Sequence, residues 1–365
     1  MTSAIARLND FGQSPWLDNL TRGMARGGEL ARLVADDGIR GVTSNPSIFE
    51  KAMASGDDYD AELAELTRGG ATIEEVYWAL VVGDVSTAAD VLRPTHDRLG
   101  GADGFVSLEV SPDIAGDTTA TVAQVAELAG RVDRPNLMVK IPATEAGLPA
   151  IEEGVAAGLN INITLIFALG RYDAVVEAYL RGLERRVEAG LPVDAMHSVA
   201  SFFVSRVDTE TDKRLPEGHP LRGRAAVANA KIAYQHFLEH FRGPRWEALA
   251  AHGATLQRPL WASTSTKNPA YSPTLYVDTL IGENTINTLA PPSVEALRAG
   301  QGHQEAGSIL EGVDDARAVL DGLAEAGVSY DDVTATLERE GVAAFSRAFH
   351  DCLDSLAKRA AELTS

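Results

Sequence analysis

Hydrophobic and polar positions along this chain fall into short apolar runs separated by longer amphipathic stretches. Runs that read as strands lie at 39–43, 105–110, 137–141, 161–167, 198–204, 259–263 and 275–281, with a weaker one at 15–18. Most of the intervals between them carry helical periodicity. Thr72-x-x-Glu75 has the form of a capping box. It predicts a helix that opens there and runs through Leu92, with Pro94 beyond its end. A second helix is expected over 172–189, with Gly190 as its stop. About eight strands alternating with helices predict an α/β fold, a (β/α)8 TIM barrel with extra helices. A doubly wound sheet would need a glycine-rich phosphate loop after an early strand, and the chain has none. The interval 207–257 is long; it holds a turn-rich piece, Pro216-Glu217-Gly218-His219-Pro220, followed by helices. It is expected to be an insertion on a single barrel domain spanning 1–365. The stretch 291–307 reads as a loop, with C-terminal helices after about 308.

Strand parity sharpens this reading, because side chains alternate between the barrel interior and the helix-facing side. In 105–110 the set Val106, Leu108 and Val110 is apolar, and the other parity carries Ser107 and Glu109. In 160–165 the set Ile161, Ile163 and Leu165 is apolar, opposite Asn160, Asn162 and Thr164. In 137–141 Leu137, Val139 and Ile141 oppose Met138 and Lys140. Near Pro259 the residues Trp261, Ser263 and Ser265 share one parity. Four strands are therefore expected to bring Glu109, Lys140, Thr164 and Ser263 to the C-terminal mouth of the barrel, where such barrels carry their chemistry.

Lys140 is the most informative of these. It stands in Asn136-Leu137-Met138-Val139-Lys140-Ile141-Pro142-Ala143-Thr144, a run expected to be buried on both faces. A buried ammonium is costly unless paired or deprotonated. Two readings follow: a lysine paired with a buried carboxylate, or a neutral amine able to attack a carbonyl and form a Schiff base.

Composition excludes several function classes. With 52 acidic against 32 basic residues the formal net charge is −20, which argues against nucleic acid and anionic membranes as partners. An anionic substrate must then be held by local positive charge. No apolar stretch is long enough to span a membrane, and the N-terminus lacks the apolar core of a signal peptide. The single cysteine, Cys352, cannot form an internal disulfide and fits a reducing cytoplasm. It shares helical spacing with Phe345, Phe349 and Leu356, so it reads as core rather than as a nucleophile. The charge is compatible with a monomer or a homodimer.

Six motifs in order complete the picture: Gly41-Val42-Thr43-Ser44-Asn45-Pro46-Ser47, Ser107-Leu108-Glu109-Val110-Ser111-Pro112, Val139-Lys140-Ile141-Pro142-Ala143-Thr144, Asn160-Ile161-Asn162-Ile163-Thr164-Leu165, Ser201-Phe202-Phe203-Val204-Ser205-Arg206 and Trp261-Ala262-Ser263-Thr264-Ser265-Thr266-Lys267. Together they resemble the transaldolase family over nearly the whole chain. The resemblance implies transfer of a dihydroxyacetone unit from sedoheptulose 7-phosphate to glyceraldehyde 3-phosphate, giving erythrose 4-phosphate and fructose 6-phosphate in the non-oxidative pentose phosphate pathway. It implies phosphorylated sugars as ligands and no metal or organic cofactor.

The resemblance also implies roles. Lys140 would form the Schiff base, and Asp18 would be the general base for C–C cleavage. Glu109 with Thr164 would hold the water of carbinolamine formation and dehydration. Asn45 would bind the donor hydroxyls, Ser201 would line the sugar site, and Ser263 would also bind substrate. Arg206 matches the family's phosphate arginine. The second phosphate arginine of many family members stands two residues after the serine matching Ser263; here that position is Ser265, and Lys267 is expected to substitute. Asp18 would also suit a helix N-cap or turn, and Asn45 the turn before Pro46. Three other functions remain open: a fructose 6-phosphate aldolase, which releases free dihydroxyacetone; a non-catalytic sugar-phosphate-binding barrel; and a metal-dependent barrel. The last is disfavoured because no His-x-His or His-Glu-x-x-His pair falls on a strand end.

Overall fold

The computed structural model describes residues 3–364. Eight parallel strands close into a barrel in sequence order: β1 Gln13–Asp18, β2 Gly41–Thr43, β3 Phe105–Glu109, β4 Leu137–Pro142, β5 Ile161–Ile166, β6 Ser198–Phe203, β7 Gln257–Ala262 and β8 Thr285–Leu289, with β8 pairing back onto β1. Helices follow the strands, so this is the (β/α)8 TIM barrel that the alternation predicts.

The helix at Thr72 opens with the capping box as expected: Glu75 N–H donates to Thr72 Oγ1 at 3.3 Å and Thr72 N–H to Glu75 Oε2 at 2.8 Å. It does not stop at Leu92 but runs Ile73–Arg98 with Pro94 inside it. Pro94 and Asp90 both lie on the exposed face, where water can take the carbonyl that loses its partner. The helix of 172–189 spans Leu169–Glu188, and Gly190 beyond it adopts φ +68°. Two further expectations are corrected. The apolar run 275–281 is not a strand. Leu275–Asp278 forms a short helix, with Val277 and Asp278 N–H groups donating to the Thr274 carbonyl. The last strand is Thr285-Ile286-Asn287-Thr288-Leu289, whose polar side chains donate to nearby carbonyls, as in Asn287 Nδ2 to the Tyr276 carbonyl at 3.1 Å. A search for apolar runs passes over such a strand. The stretch 291–307 is likewise not all loop: Pro291–Arg298 is a helix opened by two prolines at its first positions.

The interval 207–257 carries most of Ser205–Arg214 and then the helices Ala225–His240 and Gly243–Ala251. The helix Ala225–His240 lies against the helix Leu169–Glu188 and against β7. After Ser308–Leu310 come Val313–Glu325 and the 35-residue helix Tyr330–Thr364. The apolar stripe of that last helix packs inward, with Phe349 edge-on to Tyr77 at 5.0 Å. Among the described residues no helix is long and apolar enough to cross a membrane.

The N-terminal end of the barrel is closed by a polar plug. Asp103 accepts hydrogen bonds from Ser14 Oγ, from Trp16 Nε1 at 2.8 Å and from Arg258 Nη1 at 3.1 Å. Trp16 pairs in register with Gly41 across β1 and β2, and its indole lies over that glycine. A Cβ at Gly41 would come within 2.3 Å of two indole carbons. Trp16 is fully buried and held by Asp103, so it has nowhere to go. Gly41→Ala is therefore expected to cost about 1–3 kcal/mol by overpacking, read as a lowered urea midpoint. An unchanged midpoint would show that the indole can move.

Candidate active site

At the opposite end of the barrel a cavity of about 560 Å3 opens to solvent. It is lined by Asp18, Asn45, Lys140, Thr164, Ser201, Arg206, Ser263 and Lys267, eight of the nine residues singled out from the sequence. The ninth, Glu109, lies beneath them against Lys140.

The register of the sheet explains the convergence. Glu109 is paired with Lys140, Lys140 with Asn162, and Pro142 with Thr164, so neighbouring strands raise matching positions toward the mouth. Lys140 and Glu109 are buried to 4% and 6% exposure. Lys140 Nζ donates to the Ser44 carbonyl at 3.1 Å and stands 3.3 Å from Glu109 Oε2. The second contact is an ion pair without hydrogen-bond geometry, so Glu109 Oε2 keeps its acceptor capacity unspent. Burial raises the Glu109 pKa above the ordinary carboxylate value, and Lys140 only partly offsets this. Thr164 Oγ1 is also buried without a hydrogen-bond partner. Buried polar atoms are ordinarily hydrogen-bonded, so these two stand out. Of the two readings of Lys140, the one that pairs it with a buried carboxylate is met by Glu109.

Asp18 ends β1 on the interior side, where its Oδ1 accepts from Thr43 Oγ1 at 2.9 Å. It is not an N-cap; Thr21 caps the following helix, accepting from Met24 N–H. Asn45 is both a cap and a cavity residue. Its Oδ1 accepts from Ile48 N–H at 3.1 Å at the start of Pro46–Ala54, which leaves its amide N–H groups for a ligand. Ser201 Oγ donates to Asn162 Oδ1 at 2.7 Å, and Asn162 Nδ2 to Ser107 Oγ at 2.9 Å, a polar layer under the cavity.

The parity assigned to 259–265 is corrected. Leu260 and Ala262 face the cavity, whereas Trp261 lies on the helix side, edge-on to Phe202 at 6.2 Å. Ser263 reaches the cavity because its backbone turns into the left-handed region, φ +56°, and breaks the alternation. Its hydroxyl meets Ser205 Oγ at 3.0 Å. Leu165, immediately after Thr164, is also left-handed at φ +59°, where the β5–β6 register shifts. Such conformations cost on the order of 1–3 kcal/mol each and gather at functional sites.

Arg206 follows β6 in the first turn of its helix. Its guanidinium lies 5.2 Å from the Phe203 ring and 6.0 Å from the Phe345 ring. Among the described residues it makes no hydrogen bond or ion pair, so aromatic faces orient it and its N–H donors stay free. Lys267 stands exposed at the rim, in a loop tied down where Tyr271 donates to Asp212 at 2.6 Å. Desolvation first, then repulsion from Arg206, lowers the Lys267 pKa.

Phe345, Thr43 and Lys51 also line the cavity and escape a sequence reading of site residues. Phe345 belongs to the apolar stripe of the C-terminal helix, and nothing in the stripe marks its first member as facing the cavity. Lys51 lies six residues beyond Asn45, on an otherwise ordinary helix.

A family model described as transaldolase/fructose-6-phosphate aldolase matches residues 15–356. Among curated proteins, "Transaldolase 2" of Streptomyces coelicolor is 49% identical over 360 residues, covering 97% of this chain and 96% of that one. "Transaldolase 1" of Streptomyces avermitilis is 49% identical over 358 residues, covering 97% and 94%. The "Transaldolase" of Thermobifida fusca is 48% identical over 369 residues, covering all of both chains.

Proposed function

We propose, from the premise that this chain belongs to the transaldolase/fructose-6-phosphate aldolase family and is an enzyme of transaldolase activity, that Lys140 carries a dihydroxyacetone unit between phosphorylated sugars as a Schiff base. The observation that carries the assignment is the position of Lys140 Nζ. It lies between the Ser44 carbonyl and the Glu109 carboxylate, on the floor of a cavity whose rim carries Arg206 and Lys267.

The residues fit the steps as follows. Glu109, with its raised pKa, takes a proton from Lys140, and the free amine attacks C2 of the ketose phosphate. Glu109 and Thr164 then handle the proton and the water lost as the carbinolamine becomes a protonated imine. Asp18 removes the proton of the C4 hydroxyl; the C3–C4 bond breaks, its electron pair flows into the imine as an enamine, and the aldehyde leaves. Asn45 and Ser201 hold the three-carbon unit. The enamine carbon attacks the carbonyl of an incoming aldose phosphate, Asp18 returns the proton to the new alkoxide, and water releases the ketose and Lys140. Arg206 and Lys267 hold the phosphate, and Ser263 binds the substrate in the same cavity. Free sugar phosphates as substrates support a cytoplasmic site of action for this reading.

Incubation with sedoheptulose 7-phosphate and glyceraldehyde 3-phosphate is expected to yield erythrose 4-phosphate and fructose 6-phosphate in equal amounts, with no free dihydroxyacetone. Free dihydroxyacetone as the main product would instead assign the aldolase activity. Ligand binding without turnover would assign a non-catalytic barrel.

A further inference from the structure

The charge pattern of the cavity inverts that of the chain. The protein carries a formal net charge of −20, yet the cavity is lined by Lys51, Lys140, Arg206 and Lys267 against one carboxylate, Asp18. Lys140 is ion-paired with Glu109 below it. The other three make no hydrogen bond or ion pair among the described residues. These cations have no ion-pair partner and repel one another; Asp18 offsets part of that repulsion, and a visiting anion would relieve the rest. Arg206 and Lys267 already have a role in the reading above. Lys51 does not.

Lys51 comes from a separate element, the helix Pro46–Ala54 that Asn45 caps. Ile48, Lys51, Ala52 and Ser55 all line the cavity, and their spacing is that of a single helical face. The helix therefore aims Lys51 at the same space as Arg206 and Lys267 and not at bulk solvent on its other side. The Lys267 ammonium feels Lys51 as a repulsive charge. A phosphate monoester carries close to two negative charges at neutral pH and has three acceptor oxygens, enough for three cationic donors. A lysine is a mobile point charge on a flexible stem, suited to reach an oxygen that the fixed fork of Arg206 leaves open.

We propose that Lys51 is a third phosphate-binding cation of this cavity, closing on the substrate phosphate from the side opposite the barrel wall that carries Arg206. This rests on the reading of the cavity as a sugar-phosphate site, and the test separates the two. Lys51 is exposed, so its variants are expected to fold with unchanged melting temperature. Lys51→Met is expected to weaken the calorimetric affinity for inorganic phosphate about five- to tenfold and to raise KM for fructose 6-phosphate by a similar factor, with kcat nearly constant. Lys51→Arg restores both to within about twofold, because the charge and donors return. Lys358→Met, which removes the same charge from an exposed position on the C-terminal helix, leaves both unchanged. Wild-type phosphate affinity in Lys51→Met overturns the proposal, as does an equal loss in Lys358→Met, which would reduce the effect to net charge. Borohydride trapping of unphosphorylated dihydroxyacetone on Lys140, run on wild type and Lys51→Met, reports the catalytic reading alone. Its failure in the wild type would remove that reading while the phosphate affinities still decide the role of Lys51.

Discussion

Lys140→Met is expected to abolish transfer, with kcat/KM down by at least about 10^4, and to eliminate the borohydride adduct seen with fructose 6-phosphate in the wild type. No neighbouring amine can take over: Arg206 is a guanidinium that stays protonated, and Lys51 and Lys267 sit at the rim rather than on the floor. The variant also tests the ion pair. Removing the ammonium leaves Glu109 buried without its partner, which is strongly destabilising for a charged carboxylate. The protein escapes that cost by protonating Glu109, whose pKa is already raised and rises further without Lys140. The folded state then holds a proton that the unfolded state gives up near its ordinary value. The stability penalty is therefore small at low pH and grows as pH rises above the unfolded carboxylate range. Thermal melts of Lys140→Met across pH 5 to 8 are expected to fall increasingly behind wild type, and adding Glu109→Gln is expected to remove that pH trend. Residual adduct formation in Lys140→Met would move the Schiff base to another lysine.

That a single lysine could be picked from the sequence has a physical reason. A barrel strand is buried on both faces, so a charged residue inside an otherwise apolar run stands out. Glu109 and Lys140 were legible for that reason, and the face they share with Thr164 followed from strand parity alone. Parity failed where the backbone departs from extended geometry. Ser263 is left-handed, and one such residue reverses the faces read for Trp261 and its neighbours. The strand Thr285–Leu289 was hidden because its polar side chains bond to nearby carbonyls, so it carries no apolar run. Pro94 misled in the other direction, because a proline on the exposed face near a helix end can be tolerated. Phe345 and Lys51 were beyond reach altogether. Their place at the cavity depends on where two helices lie across the barrel mouth, which is a property of tertiary packing and leaves no local signal.

The second large effect separates the two chemical halves of the reaction. Asp18→Asn preserves side-chain volume and keeps an oxygen to accept the Thr43 hydroxyl, so the cavity is expected to persist. What it removes is the carboxylate able to take the proton from the hydroxyl on the breaking bond. Imine formation depends on Lys140, Glu109 and Thr164, none of which is hydrogen-bonded to Asp18 among the described residues. Turnover is accordingly expected to fall by about 10^2–10^4, the usual worth of a positioned base, while Lys140 still condenses with the ketose. The mass of the trapped species decides the matter. Wild type treated with fructose 6-phosphate and borohydride is expected to carry a three-carbon unit on Lys140, because cleavage precedes reduction. Asp18→Asn is expected to carry the intact six-carbon sugar phosphate on the same lysine, because the bond no longer breaks. A three-carbon adduct in the variant would show that another group accepts the proton, and Asp18 would then serve only to hold Thr43 and shape the cavity.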